Sequence, residues 1–351
     1  MLSLNKVTEV NKEILTFIQE HPLYSSKEIY SGLKQEIGYA TLKRILARLV
    51  ADNLIVRQGK GKGTKYAISA AYGLLQPVDV ESYFKKEQDD RQINDSFNLS
   101  LINEVLRQAK LFTADEERHL NELHEKFKYN VSQLSPTEYS KELERLAIDL
   151  SWKSSQIEGN TYSLLETERL LREKETAAGK PKDDAVMLLN HKEAINFIVE
   201  HPDYAVLLTI RSIEDIHSLL VKDLDVDRNI RQRRVGISGT NYKPLDNEYQ
   251  IREALNDMCA LVNEKENVFE KALLALVLLS YIQAFADGNK RTARIVSNAI
   301  LIAHGYCPVS FRTVDSIAYK KAMLIFYEQN NISPFKEIFK SQFEFAVMTY
   351  F

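Results

Sequence analysis

Apolar residues recur at helical spacing along most of the chain, so the pattern predicts a mainly α fold before any motif is considered. Beyond residue 97 it predicts helices over 99–112, 114–129, 137–153, 164–175, 183–200, 210–221, 247–263, 272–285, 291–304 and 316–329. Two of these carry start signals. Thr113 with Glu116 three residues on reads as a capping box, and Ser135-Pro136-Thr137 opens the next helix. The most apolar run, residues 272–286, is interrupted by Ser280, Tyr281 and Gln283. It falls short of the ~18 apolar residues that a membrane span needs and reads as a buried core helix. One stretch departs from the period: Gln232 to Pro244 alternates over short range and carries glycines, the pattern of a small β-hairpin. No repeat of about 20–50 residues stands out, which argues against a solenoid.

The first seventy residues read differently. Val7, Val10, Ile14, Leu15, Phe17 and Ile18 mark a helix that stops at His21-Pro22, because proline disfavours helix in the residue before it. Ser25 or Ser26 caps a second helix carrying Ile29, Tyr30 and Leu33, and a third, 41–51, buries Leu42, Ile45, Leu46, Leu49 and Val50. Then follow a strand at 54–57, a glycine-rich basic tip at 59–63 and a strand at 65–68. Three helices and a basic hairpin resemble a winged helix-turn-helix domain. The resemblance implies DNA as a partner, with Lys43, Arg44 and Arg48 on the recognition helix and Lys60 and Lys62 on the wing.

Charge supports a division. Residues 1–69 hold 11 Lys and Arg against 6 Asp and Glu, a net +5 in a chain of net −3, which leaves −8 for residues 70–351. The expected organisation is a winged helix at 1–69, a connector at 70–96 and a helical domain at 97–351. Only 12 Gly and 8 Pro leave little turn punctuation, in keeping with long helices. The first residues lack the basic and apolar regions of a signal peptide, and Cys259 and Cys307 have no metal-site spacing. A cytoplasmic protein without a membrane span is expected, and a homo-oligomer is compatible with the sequence.

Candidate chemistry concentrates in residues 283–294, Gln-Ala-Phe-Ala-Asp-Gly-Asn-Lys-Arg-Thr-Ala-Arg. The core helix is expected to end at Phe285-Ala286, Asp287-Gly288-Asn289 to turn, and a new helix to begin at about Arg291. Unpaired N–H groups and the macrodipole make a helix N-terminus a phosphate cradle. Lys290 adds positive charge, and Arg291 and Arg294, three apart, add charged donors on one face. Asp287 suits Mg²⁺, which takes one or two carboxylates together with substrate phosphates.

From Phe285 to Arg294 the segment resembles the Fic family signature His-x-Phe-x-Asp/Glu-Gly-Asn-x-Arg-x-x-Arg, matched at every fixed position except the first. The resemblance implies a Fic-type helical bundle, core about 205–340, that transfers AMP from ATP to a Ser, Thr or Tyr hydroxyl of a target protein. It implies Asp287 as the Mg²⁺ ligand, Gly288, Asn289 and Arg291 as the anion hole for the α- and β-phosphates, and Arg294 as the γ-phosphate partner. Phe285 would be a core anchor, and residues 231–244 a flap that registers the target by strand addition. Ser154-Ser155-Gln156-Ile157-Glu158-Gly159 resembles the family's inhibitory pattern Ser/Thr-x-x-x-Glu-Gly/Asn. Within a helix at about 140–159, Ser154 and Glu158 share a face. The resemblance implies that Glu158 pairs with Arg294 and keeps the γ-phosphate from seating.

The departure is Gln283, where the family has its catalytic histidine. A primary amide cannot accept a proton near neutral pH, and losing a general base costs on the order of 10²–10⁴ in rate. The expected function is nucleotide binding with impaired adenylyl transfer; the alternative is a DNA-binding regulator whose Fic-like body senses a nucleotide without turnover. His217 is expected to be a packed residue, and His191, His201 and His304 have no motif context.

Overall fold

The computed structural model describes residues 4–34 and 37–351; nothing is described of the side chains before residue 9 or of the Lys62 side chain. The chain forms two compact units, residues 1–76 with 104–118, and residues 77–103 with 119–351.

The first unit holds α1 (Leu4–Glu20), β1 (Tyr24–Ser25), α2 (Ser26–Gly32), α3 (Tyr39–Ala51), β2 (Ile55–Gln58), β3 (Lys65–Ile68) and the short α4 (Tyr72–Leu75). The strands form an antiparallel sheet in the order β1-β3-β2, with Ile55 opposite Ile68 and Gln58 opposite Lys65. Ser25 caps α2 in a full capping box with Glu28. Val10, Ile14, Ile18, Ile29, Leu42, Leu46, Leu49 and Ile55 are buried as one apolar set. The opposite face of α3 exposes Lys43, Arg44 and Arg48, and Lys60 is exposed at the hairpin tip. The helix expected at 99–112 is present but shorter, over residues 100–108, and is π-helical from Leu101 to Leu106. The Thr113–Glu116 capping box does form.

The second unit comprises α5 (Val80–Tyr83), most of α6 (Ala114–Ser132), α7 (Pro136–Ile157), α8 (Leu164–Glu173), α9 (Lys182–Glu200), α10 (Ile210–Leu220), α11 (Glu248–Glu264), α12 (Val268–Ile282), α13 (Asn289–Ala303), α14 (Ser316–Gln329) and α15 (Ser333–Thr349). Polar residues begin these helices at the right places. Ser135, Ser163 and Thr209 make capping boxes for α7, α8 and α10, and Asn267 caps α12 through the N–H groups of Phe269 and Glu270. Every side chain of α12 except the half-buried Lys271 is buried, so this apolar run is the core helix expected from its pattern. α13 lies along it, stitched by Ser297 Oγ donating to the Ala272 carbonyl at 2.9 Å, while α7, α9 and α10 pack around α13. No helix among the described residues is long and apolar enough to cross a membrane.

Two expectations need correction. The core helix ends at Ile282, three residues early, because Gln283 takes a left-handed conformation (φ 53°) as its C-cap. The hairpin expected at 232–244 is extended chain without a ladder; its one bridge pairs Lys243 with Ser96, in parallel. A two-stranded ladder needs both arms to face each other, and here the second arm instead faces residues 88–96.

Those residues, part of the expected connector, form a strap across the second unit. Arg91 reaches Glu328 at 3.3 Å with side chains 4% and 0% exposed, and Tyr83 donates to the same carboxylate at 2.5 Å. Arg91 also donates to the Gly239 carbonyl at 2.7 Å, and the Lys243 N–H to the Asp95 carbonyl at 2.9 Å. Removing one partner of a buried pair strands the other charge. Arg91→Met is therefore expected to lower stability to urea by about 3–5 kcal/mol, with most of the loss recovered by adding Glu328→Gln.

Candidate functional site

The site is built at the corner between α12 and α13. Gly288 is the N-cap of α13 at φ 79°, a conformation that L side chains rarely adopt, and a Cβ there would sit 3.2 Å from the His217 ring. Helix 13 begins at Asn289 rather than Arg291, so its first N–H groups, which have no partner within the helix, belong to the loop itself. The Asn289 side chain braces that loop: its carbonyl oxygen accepts from the Phe285 N–H at 2.8 Å, and its amide donates to the Phe285 carbonyl at 2.7 Å and to Gln283 Oε1 at 3.2 Å.

Gln283 is fully engaged. Its Nε2 donates to the Ser280 carbonyl at 2.6 Å, and its own carbonyl accepts from Arg231 Nε at 2.6 Å. Arg231 also donates to the Arg233 and Leu245 carbonyls, so one buried guanidinium clamps the start of the flap to the corner. Phe285 is buried and stacks on His217, ring centroids 3.6 Å apart. Burial holds the His217 imidazole neutral, at about 4, which agrees with a packed residue.

Three cations of α13 meet different fates. Arg294 is completely buried; its Nε donates to Ser154 Oγ at 2.8 Å and its Nη2 to the Ser154 carbonyl at 3.0 Å and to Glu158 Oε1 at 2.8 Å. It also lies over the Tyr319 ring, 5.3 Å from the centroid. Lys290 donates to the other Glu158 oxygen at 2.8 Å. Glu158, the C-cap of α7, thus bridges two cations across the corner. Arg291 is 1% exposed and has one partner, Asp287 at 3.0 Å, while its Nε and Nη1 have none. Asp287 itself is 68% exposed.

A cleft of about 390 Å³ opens beside this corner. Glu158, Gln283, Asp287, Gly288, Asn289 and Lys290 line one side, Val235 to Ser238 of the flap another, and Lys320, Met323, Leu324 and Tyr327 a third. The last four lie at i, i+3, i+4 and i+7 on α14, a one-face stripe that the sequence displays but that no motif singles out. Also missed was His191, on α9. Its Nε2 lies 2.6 Å from Ser154 Oγ, and it is wholly buried behind the Glu158–Arg294 pair.

Residues 207–301 match the family model described as Fic/DOC family. These residues are a Fic/DOC domain. The chain is 27% identical over 257 residues to "Protein adenylyltransferase Fic" of Aedes aegypti, covering 70% of this chain and 50% of that protein. It is 31% identical over 176 residues to the protein of the same name from Nematostella vectensis, covering 48% and 40%. It therefore spans half or less of the length of these relatives. Among solved structures, Fic-1 of Caenorhabditis elegans superposes with a TM-score of 0.58 at 22% identity, covering 67% of this chain and 71% of that one. A Fic domain containing signaling protein from Bacteroides thetaiotaomicron gives 0.57 at 20%, covering 66% and 94%. At these identities the likeness establishes a shared Fic fold.

The Glu158 pair within the Fic fold has a pH signature. Burial would raise the carboxyl, but Arg294 and Lys290 outweigh it and hold it at about 2, against an ordinary 4.5. Its contribution is thus present above pH 4.5 and is lost as pH falls through about 2. Glu158→Gln should cost on the order of 2 kcal/mol near neutral pH. In denaturant titrations from pH 6 to 2, the gap between wild type and variant should close as the pH falls.

Proposed function

We propose that the cleft is an ATP site of the adenylyltransferase type, held closed by Glu158 within the same chain and left weak in catalysis by Gln283. The observation that carries this reading is the unequal satisfaction of the α13 cations. Lys290 and Arg294 share one carboxylate, with Arg294 Nη1 left over, while Arg291 keeps both Nε and Nη1 buried without a partner. Buried donors without acceptors are costly, and a phosphate oxygen is the acceptor their charge suits best.

In this reading the N–H groups at the start of α13 and the Arg291 guanidinium cradle phosphate oxygens. Arg294, once released by Glu158, turns to the outermost phosphate. The exposed Asp287 carboxylate would hold Mg²⁺, an ion that takes one or two protein carboxylates and completes its shell with phosphates and water. Bound there, Mg²⁺ would neutralise phosphate charge. The flap from Val235 to Ser238 would receive the target segment bearing the Ser, Thr or Tyr hydroxyl. Gln283 stands where a proton acceptor is needed and offers an amide already engaged on both sides.

Calorimetry of ATP with Mg²⁺ against wild type, Glu158→Gly and Glu158→Gly with Arg294→Ala tests binding. Glu158→Gly should tighten it, and adding Arg294→Ala should weaken it again. Labelled ATP incubated with cell lysate tests transfer: Glu158→Gly with Gln283→His should label protein on the order of 10²–10⁴ faster than Glu158→Gly alone. Absence of ATP binding in every variant sinks the reading.

A second reading, DNA binding by the winged-helix-like first unit, is favoured by the placement of its cations. Lys43, Arg44 and Arg48 all stand exposed on one face of α3, with Lys60 exposed at the hairpin tip. Fluorescence anisotropy of the full chain with duplex DNA should show salt-sensitive binding, and each Lys or Arg replaced by Gln should lower the log–log salt slope by about 1. Binding unchanged by the triple α3 variant would remove this reading.

A further inference from the structure

We propose that His191 is a positioning residue of the Glu158 latch, acting through Ser154 to aim Arg294. This rests on the reading above that Glu158 and a nucleotide compete for Arg294. Three atoms carry the inference. Arg294 Nε can only donate, so Ser154 Oγ accepts from it at 2.8 Å, and His191 Nε2 lies 2.6 Å from the same oxygen.

Donor and acceptor bookkeeping then selects a tautomer. If Nε2 carries the hydrogen, the Ser154 hydroxyl hydrogen and the Nδ1 lone pair both lack a hydrogen-bonding partner in this buried place. If Nδ1 carries it, the Ser154 hydroxyl donates to Nε2, and Nδ1 alone is left. The second arrangement leaves fewer orphans, which is the rule for buried polar groups. It requires a neutral imidazole, and burial together with Arg294 and Arg291 holds His191 well below the ordinary histidine range.

The consequence concerns Arg294. With its hydroxyl hydrogen turned to His191, Ser154 presents a lone pair to Arg294 Nε, while the Ser154 carbonyl takes Nη2 at 3.0 Å. Two fixed acceptors set the plane of the guanidinium, and in that plane Nη2 meets Glu158 Oε1. Without an acceptor at residue 191, the Ser154 hydroxyl is free to rotate its hydrogen toward Arg294, and the aim is lost. His191 touches neither Glu158 nor the cleft, so its effect travels through Ser154.

The test combines three measurements on the full chain. First, ¹⁵N–¹H correlation spectra of the histidine rings should give His191 the pattern of the neutral Nδ1–H tautomer; an Nε2–H or doubly protonated pattern overturns the proposal, even if no variant folds. Second, calorimetry with ATP and Mg²⁺ should show His191→Leu and Ser154→Ala each binding on the order of 10-fold tighter than wild type. His191→Gln, whose side-chain carbonyl can accept from Ser154, should stay close to wild type. Third, His191→Leu in a Glu158→Gly background should change affinity less than threefold, because the latch it aims is gone. Weaker binding by His191→Leu, or an equal gain in both backgrounds, overturns the proposal. If Glu158→Gly itself leaves ATP affinity unchanged, the competition reading fails instead, and the tautomer measurement still decides the Ser154 arrangement.

Discussion

Burying Arg291 and Arg294 on the inner face of one helix is the constraint to which the rest of the Fic domain answers. Two guanidinium groups out of water are tolerated only where acceptors are supplied. Arg294 receives the Ser154 hydroxyl and carbonyl and the Glu158 carboxylate, all from the end of α7, so that helix must run long enough to bring its last turn against α13. Arg291 receives one exposed aspartate. The asymmetry gives the site a preference: the group that comes to Arg291 must bring its own acceptors, and the group that comes to Arg294 must displace a carboxylate already held by two cations.

Much of this was legible in the chain, and the limits have physical causes. The Asp287 to Arg294 spacing and the Ser154–Glu158 pair are local patterns, each fixed by helix geometry within a few residues. The helix predictions rested on periodicity and capping, and α7, α8 and α10 follow them because their Ser or Thr caps satisfy N–H groups that nothing else would. The end of α12 was misplaced because the apolar run continues through Ala284, Phe285 and Ala286 after the helix stops. Ala284 and Phe285 stay buried, Phe285 against His217, and exposure begins only at Ala286, so hydrophobicity carries no signal at the break. His191 was invisible for another reason. Its partner is 37 residues away in sequence, and only the packing of α9 against α7 brings them together.

Gln283 shows how one position can belong to structure and chemistry together. It ends α12 in a left-handed turn, accepts from Asn289, donates to Ser280 and gives its carbonyl to Arg231. It therefore ties the core helix, the phosphate-type loop and the flap at one point. A residue with these bonds is integrated into the corner, and the corner's shape does not require a titrating group there. Loss of proton transfer and retention of the binding geometry are consequently compatible, which is why binding and transfer have to be measured separately.

The flap is anchored at both of its ends. Its start is clamped by Arg231, and its end is held by Arg91 at Gly239 and by Asp95 at Lys243, yet no hydrogen-bonded strand lies beside Val235 to Ser238 among the described residues. The segment is thus fixed at both ends and carries no ladder between them among the described residues. This explains why the alternating pattern was read as a hairpin: the residues have strand character, but the second arm is committed to the 88–96 strap and cannot fold back. Since Gly239 and Glu328 share Arg91, the strap joins the flap to α14, whose Tyr327 lines the same cleft. Residues 83–96 thus hold two of the three walls of the cleft.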